Sequence, residues 1–286
     1  MGAARLRARI WGCRGSLPTP GRETLTYGGN TSCIEVTLDD GTLVILDAGS
    51  GIRGLGVRLA REGRKKICLC LTHLHLDHLE GLGFFAPIWD AETEIDVWGP
   101  PSSARSLEQR ISRYFSPPLF PMQLSDVRAR VTFHDVMTDE WRIGSAIVAS
   151  DLVSHPGPTL GFRIDERGQS LAYIPDHEPA LGGGLRELTP DWISGFGLVR
   201  RAGVLLHDSQ YFEEEYEQYV GFGHSSVADA VALGEMAAVG RLLLFHHDPL
   251  HSDTELEALQ GRARALWRGE GAPPALAYEG LELVLE

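Results

Sequence analysis

Apolar residues along this chain fall mostly in short runs of strand length, each closed by a glycine, a turn or a polar residue. On this criterion residues 6–11, 33–38, 42–46, 66–71, 94–98, 146–153, 159–164, 170–174, 203–206, 241–245 and 281–285 read as strands. Two pairs, joined across 39–41 and 165–168, read as hairpins. Helical signals are fewer. Ser226-Val227-Ala228-Asp229 and Ser252-Asp253-Thr254-Glu255 each place a carboxylate three residues after a hydroxyl. That capping pattern opens helices running towards Gly240 and Trp267. Hairpins interspersed with helices indicate an α/β or α+β fold. No internal repeat of about 20–50 residues is present.

Strand after strand ends in a residue with chemistry. The run 66–71 leads into Thr72-His73-Leu74-His75-Leu76-Asp77-His78, so three of the eleven histidines share an H-x-H-x-D-H pattern with an aspartate. With a side-chain period of two, His73 and His75 lie on one side, while Asp77 and His78 fall in the next turn on a different bearing. Two ligand pairs aimed at adjacent points suit two metal ions better than one. Asp47, His155, Asp176, Asp208 and His246 each stand at, or just after, the end of another apolar run. Residues 12–18 and 27–32 are glycine-rich turns, and Arg14 in the first could meet a phosphate. Residues 100–127 set Tyr114, Phe115 and Phe120 among Pro117, Pro118 and Pro121. The stretch reads either as a packed surface loop or as a lid, and a lid with Phe84 and Phe85 would wall a substrate.

Length and composition narrow this further. At 286 residues and 43% hydrophobic content, the chain can bury a large core as a single domain, 1–286. A formal charge of −13 repels phosphate backbones. The groups Arg61, Arg64, Lys65, Lys66 and Arg200, Arg201 read as solvated surface, so no tight nucleic-acid binding is expected. The four cysteines form no disulfide framework, and Cys68 and Cys70 point to one face of one strand. No signal-peptide core or membrane-length apolar run appears. The expectation is a soluble, reduced, cytoplasmic protein with no membrane partner; a homodimer is left open.

Taken together, these motifs resemble the signature of the metallo-β-lactamase superfamily along nearly the whole chain. Asp47 in Val44-Ile45-Leu46-Asp47-Ala48-Gly49 matches its first motif, and His73, His75, Asp77 and His78 match the second. His155 in Ser154-His155-Pro156-Gly157 matches the third, Asp176 in Tyr173-Ile174-Pro175-Asp176 the fourth, and His246 in Leu244-Phe245-His246-His247 the fifth. Gly223-His224-Ser225-Ser226 is similar to the branch that contains RNase Z and cyclic-nucleotide phosphodiesterases.

The resemblance implies a four-layer αββα sandwich of two mixed sheets with the site at one edge. It implies that His73, His75 and His155 bind one metal, that Asp77, His78 and His246 bind another, and that Asp176 bridges them. Asp176 separates phosphodiesterase members from β-lactamase members, which usually lack a bridging carboxylate. Five imidazoles and two carboxylates make zinc the leading ion, with manganese or iron also accepted by such a set. Histidine at 75, where diiron relatives tend to have glutamate, also favours zinc. Asp77, His224 and Asp208 form the implied catalytic group, with His224 as proton donor and Asp208 orienting it where RNase Z tends to have Glu. Asp47 supports the metal-binding segment. His177 and His247 follow ligands and are expected behind them; His134, His207 and His251 read as structural. The function implied is a dinuclear phosphodiesterase acting on a small nucleotide or cyclic nucleotide through a hydroxide held between two metals. A tRNA 3′-end endonuclease is the alternative, although 100–127 is too short and too apolar for that family's glycine-rich basic arm. A lactone or thioester hydrolase and a non-enzymatic nucleotide sensor are further alternatives.

Overall fold

A computed structural model describes residues 6–285. The strands are β1 (Arg7–Gly12), β2 (Cys33–Thr37), β3 (Leu43–Leu46), β4 (Lys66–Cys70), β5 (Glu94–Gly99) and β6 (Arg130–Asp135), then β7 (Asp139–Ile143), β8 (Ala146–Leu152), β9 (Leu160–Glu166) and β10 (Gln169–Ile174). They continue with β11 (Val204–Asp208), β12 (Arg241–Phe245), β13 (Ala272–Leu276) and β14 (Glu282–Val284). The helices are α1 (Ile52–Glu62), α2 (Leu107–Tyr114), α3 (Phe196–Val199), α4 (Glu213–Tyr216), α5 (Val227–Met236) and α6 (Asp253–Leu266). One seven-stranded sheet has the order β14-β1-β2-β3-β4-β5-β6, and the other β13-β12-β11-β10-β9-β8-β7.

Each sheet changes character half-way. From β14 to β3 the pairing is antiparallel, and from β3 to β6 it is parallel. Likewise β7 to β10 is antiparallel and β10 to β13 parallel. Parallel strands are covered on both faces, which is why Leu43–Leu46, Val204–Asp208 and Arg241–Phe245 read as near-continuous apolar runs. Alternate residues then serve different layers. Val44 and Leu46 join Phe162, Leu171, Tyr173 and Phe245 in the core between the sheets. Ile45 and Leu69 turn outward to Ile52, Leu55 and Leu59 of α1 and Ile111 of α2. Leu205 and Leu244 turn outward to Val231 of α5 and Leu256 of α6. The result is the expected αββα sandwich. Cutting fully buried Phe162 back to Ala would cost about 3–5 kcal/mol, because its ring fills the space where the sheets meet.

Several elements escaped the pattern reading. Helix α1 lies in the glycine-rich stretch after Asp47; its signal was Ile52, Leu55 and Leu59 at helical spacing. Strands β6 and β7 are at most half-buried apart from Ile143, so no continuous apolar run marks them. Strand β13, Ala272–Leu276, contains two prolines and survives because it is an edge strand. Residues 100–127 are more ordered than a loop. They contain α2, capped reciprocally by Ser106 and Gln109, and bury Leu107, Ile111, Phe115 and Phe120.

Candidate dinuclear metal centre

Strand direction assembles the site. The ends of β3 and β4 open at one edge because the two strands are parallel, as do the ends of β10, β11 and β12. Two antiparallel steps bring β8 back to the direction of β10. That edge therefore collects Asp47 after β3, the 73–78 segment after β4, His155 after β8, Asp176 after β10, Asp208 at the end of β11 and His246 after β12.

The seven candidate ligands converge in two overlapping groups. His73, His75, His155 and Asp176 bring their donor atoms together in one, and Asp77, His78, Asp176 and His246 in the other, all within 4.8 Å of one another in each group. Asp176 belongs to both. Its Oδ2 lies 3.6 Å from Nε2 of His73 and of His155, and its Oδ1 lies 3.0 Å from Nε2 of His78 and 3.3 Å from Nε2 of His246. Asp77 Oδ2 lies 3.3 Å from His78 Nε2 and 3.2 Å from His246 Nε2.

Behind the imidazoles, hydrogen bonds select the tautomers. His78 Nδ1–H donates to Asp47 Oδ2 at 2.8 Å, and His246 Nδ1–H donates to Gln210 Oε1 at 2.9 Å. His155 Nδ1–H donates to the Gly223 carbonyl at 2.7 Å. Each leaves the Nε2 lone pair facing inward, as metal-bound histidines require. The Thr72 hydroxyl donates to Asp47 and accepts from His73 Nδ1–H at 3.1 Å, so Asp47 steadies a histidine in each group. Tyr173 also donates its hydroxyl to Asp47 Oδ2, at 2.9 Å. The loop carbonyl comes this close because residue 223 is glycine: φ is +92°, and a Cβ would lie 2.4 Å from the His155 ring.

The donor set fits divalent metal. His73 Nε2, His78 Nε2 and Asp176 Oδ1 are buried, converge, and make no hydrogen bond. Such orphaned polar atoms are costly unless something else satisfies them. The ion-pair partners of Asp47, Asp77 and Asp176 among the described residues are all histidines. Burial pushes His73, His75 and His155 below the ordinary imidazole range, leaving them neutral and free to coordinate. Burial also opposes charge on Asp77 and Asp176, but the surrounding histidines outweigh it and hold both carboxyls well below their usual range. His78 feels the same burial, yet Asp176, Asp77 and Asp47 push it up. A cation at its Nε2 would replace that proton.

Beside these groups, His224 Nδ1 lies 2.7 Å from Asp208 Oδ2 and its ring stacks on His246 at 4.8 Å between centroids. Burial works against charge on His224; Asp208 prevails, and the imidazole is pushed up to about 9. Asp208 is itself held by the backbone N–H groups of His177 at 3.1 Å and Gln210 at 3.0 Å.

Three expectations change. Arg14 meets no phosphate: it is fully buried and donates to the carbonyls of Gly28, Asp248 and His251, tying loops together. His247 does not back a ligand side chain; its ring turns to the Ala277 carbonyl at 2.9 Å. The His177 ring bonds His207 and Ser194, and only its backbone reaches the site, through Asp208. Gln210, Tyr173 and Glu178 were missed. Glu178 is fully buried and accepts from the N–H groups of Gly221 and Gly223, fixing the loop that carries His224. No spacing marks these three, since each acts across the fold.

Residues 42–247 match the family model of the beta-lactamase superfamily domain. The chain belongs to the metallo-β-lactamase superfamily. It is a metal-dependent hydrolase. Among curated relatives in the superfamily, a ribonuclease Z of Thermoplasma acidophilum is 25% identical over 296 residues, covering 89% of this chain and 90% of that one. Among solved structures, the metallo-β-lactamase fold protein YhfI from Bacillus subtilis aligns with a TM-score of 0.71 at 15% identity, covering 98% of this chain and 99% of that one. A diphosphatase from the PhnP family aligns with a TM-score of 0.67 at 18% identity, covering 98% and 97%. These two structural likenesses speak for the fold alone. No helix among the described residues is long and apolar enough to cross a membrane.

Proposed function

We propose that this metallo-β-lactamase-fold hydrolase is a dinuclear zinc phosphodiesterase acting on a small nucleotide or cyclic nucleotide. The observation that carries the proposal is Asp176, whose two carboxylate oxygens each face a different pair of histidines. In this reading His73, His75 and His155 hold one ion, Asp77, His78 and His246 hold the other, and Asp176 spans both. Five imidazoles with two carboxylates suit zinc better than magnesium or calcium, which prefer all-oxygen shells. When bound, the ion pair supplies a water activated at neutral pH and polarises a phosphoryl oxygen.

The remaining chemistry belongs to the side chains. Hydrolysis breaks a P–O bond of the diester and expels an alkoxide that needs a proton, and His224, charged through Asp208 beneath it, is placed to give one. Asp47 keeps His73 and His78 from rotating, through Thr72 and directly. The test is hydrolysis of bis-p-nitrophenyl phosphate against nitrocefin and p-nitrophenyl phosphate under matched conditions on zinc-loaded protein. The diester should be turned over fastest; faster β-lactam or monoester hydrolysis would overturn the assignment. The ribonuclease Z relatives support a second reading, cleavage of tRNA precursors at the 3′ end. The net charge of −13 argues against it.

A further inference from the structure

A cavity of about 920 Å³ adjoins His73 and His75. That is room for a substrate of nucleotide size, far more than one phosphate group requires. Its walls are mostly apolar and aromatic, including Leu76, Phe84, Tyr114, Leu119, Phe120 and Pro158. The aromatic wall is fixed in advance. Tyr114 donates its hydroxyl to the Glu80 carbonyl at 2.6 Å, and Phe120 sits edge-on to Phe84 with centroids 5.9 Å apart. A Cβ at Gly83 would lie 2.4 Å from the Phe120 ring, so the bare backbone there is what lets the wall close. Phe84 is nevertheless 62% exposed and Leu119 84% exposed. Large apolar side chains left open beside a catalytic cluster are the mark of a ligand site.

The charged groups lining the cavity are Glu80, Arg110 and Arg113. Arg110 is taken by Asp135 and the Pro100 carbonyl. Glu80 is taken by the Thr31 hydroxyl, which donates to its carboxylate at 3.0 Å. Arg113 is exposed and has no side-chain hydrogen bond or ion pair among the described residues. On a protein of net charge −13, a free guanidinium facing an aromatic cavity is a local selection for anions.

We propose that this cavity binds a flat aromatic group of the substrate, against Phe84, Tyr114 and Phe120, and that Arg113 selects substrates carrying a further negative charge. The identity of the reacting group rests on the phosphodiesterase reading; the cavity does not. Naphthalene-1-sulfonate is the probe for binding to the zinc-loaded protein, followed by its fluorescence. Phe84→Ala should weaken it about tenfold or more, since an aromatic contact is lost while the protein core is untouched. Arg113→Ala should weaken the sulfonate and leave neutral 1-naphthalenemethanol unchanged. Displacement by methanesulfonate together with indifference to Phe84→Ala would mean that the metals alone hold the anion, and would overturn the proposal.

Turnover separates the two inferences. With the leaving group constant, p-nitrophenyl phenyl phosphate should exceed p-nitrophenyl methyl phosphate in kcat/KM by about tenfold, and Phe84→Ala should erase the difference. Equal rates on both esters in wild-type protein would overturn the cavity assignment and leave the phosphodiesterase standing. Probe binding that depends on Phe84, with no diester hydrolysis, would do the reverse.

Discussion

Replacing His224 with Ala tests whether it donates a proton, because the loss must scale with how badly the departing oxygen needs one. His224 is bonded to Asp208 at 2.7 Å, and Asp208 is anchored by two backbone N–H groups, so the imidazole has one rigid placement. A general acid is typically worth about 10²–10⁴-fold, or roughly 3–5 kcal/mol of barrier. A ribose hydroxyl leaves poorly, so His224→Ala should lose most of that factor on a nucleotide diester such as a 2′,3′-cyclic nucleotide. Nitrophenolate departs without help, and the same variant should lose less than about tenfold on bis-p-nitrophenyl phosphate. Asp208→Asn keeps an acceptor but removes its charge. A charge-assisted hydrogen bond contributes about 1.5–3 kcal/mol, so this variant should lose about 10–100-fold on the nucleotide and little on the activated ester. The assay is kcat on both substrates, with metal content measured on every variant. Equal losses on the two substrates would refute proton donation and make His224 a positioning residue. Loss of metal would refute it differently: Asp208, His224 and His246 also bring their donor atoms within 4.8 Å, and His224 would then be a ligand.

Elemental analysis of protein purified without chelator should approach two ions per chain, with His78→Ala lowering the count; a wild-type value at or below one after zinc loading would sink the dinuclear assignment. Chelation should destabilise the protein, because Asp77 and Asp176 would keep only histidines as ion-pair partners. At a hundredfold excess of free ion over Kd the bound metal adds about 2.7 kcal/mol, readable as a drop in Tm when it is removed. We expect circular dichroism and tryptophan fluorescence to report one shared unfolding transition, as one domain requires; two separated transitions would divide the chain. Precursor tRNA should neither bind tightly at physiological salt nor be cut accurately at low enzyme concentration, and accurate 3′ cleavage would favour the ribonuclease Z reading.

The H-x-H-x-D-H segment was legible because ligand chemistry demands particular side chains at short spacing, and that demand is local. Asp47, His155, Asp176 and His246 could be marked by a similar logic, since a polar residue closing an apolar run is conspicuous. Gln210, Tyr173 and Glu178 were not legible: each is an ordinary residue in its own stretch and matters only through a partner 36, 126 or 45 positions away. Arg14 misled for the same reason. Its loop looked open to solvent, yet three carbonyls distant in sequence close around it.

By itself the sequence determined most of the strand runs, two helix caps and, through the resemblance of its motifs, the set of seven candidate ligands, because periodicity, capping and motif residues are properties of neighbouring residues. Their division into two groups was implied by the resemblance of the motifs, and the tertiary structure alone decided the geometry in which they meet. The parallel pairing of β3 with β4, and of β10 with β11 and β12, brings their ends to one edge. The orientation of Asp176 then gives one oxygen to each pair of histidines. The cavity beside His73 showed along the chain only as one of two readings, in which residues 100–127 and Phe84 wall a substrate. Its walls come from segments that meet only when α2 and the following loop pack over the end of β4, and that contact depends on sheet order, which no local pattern encodes.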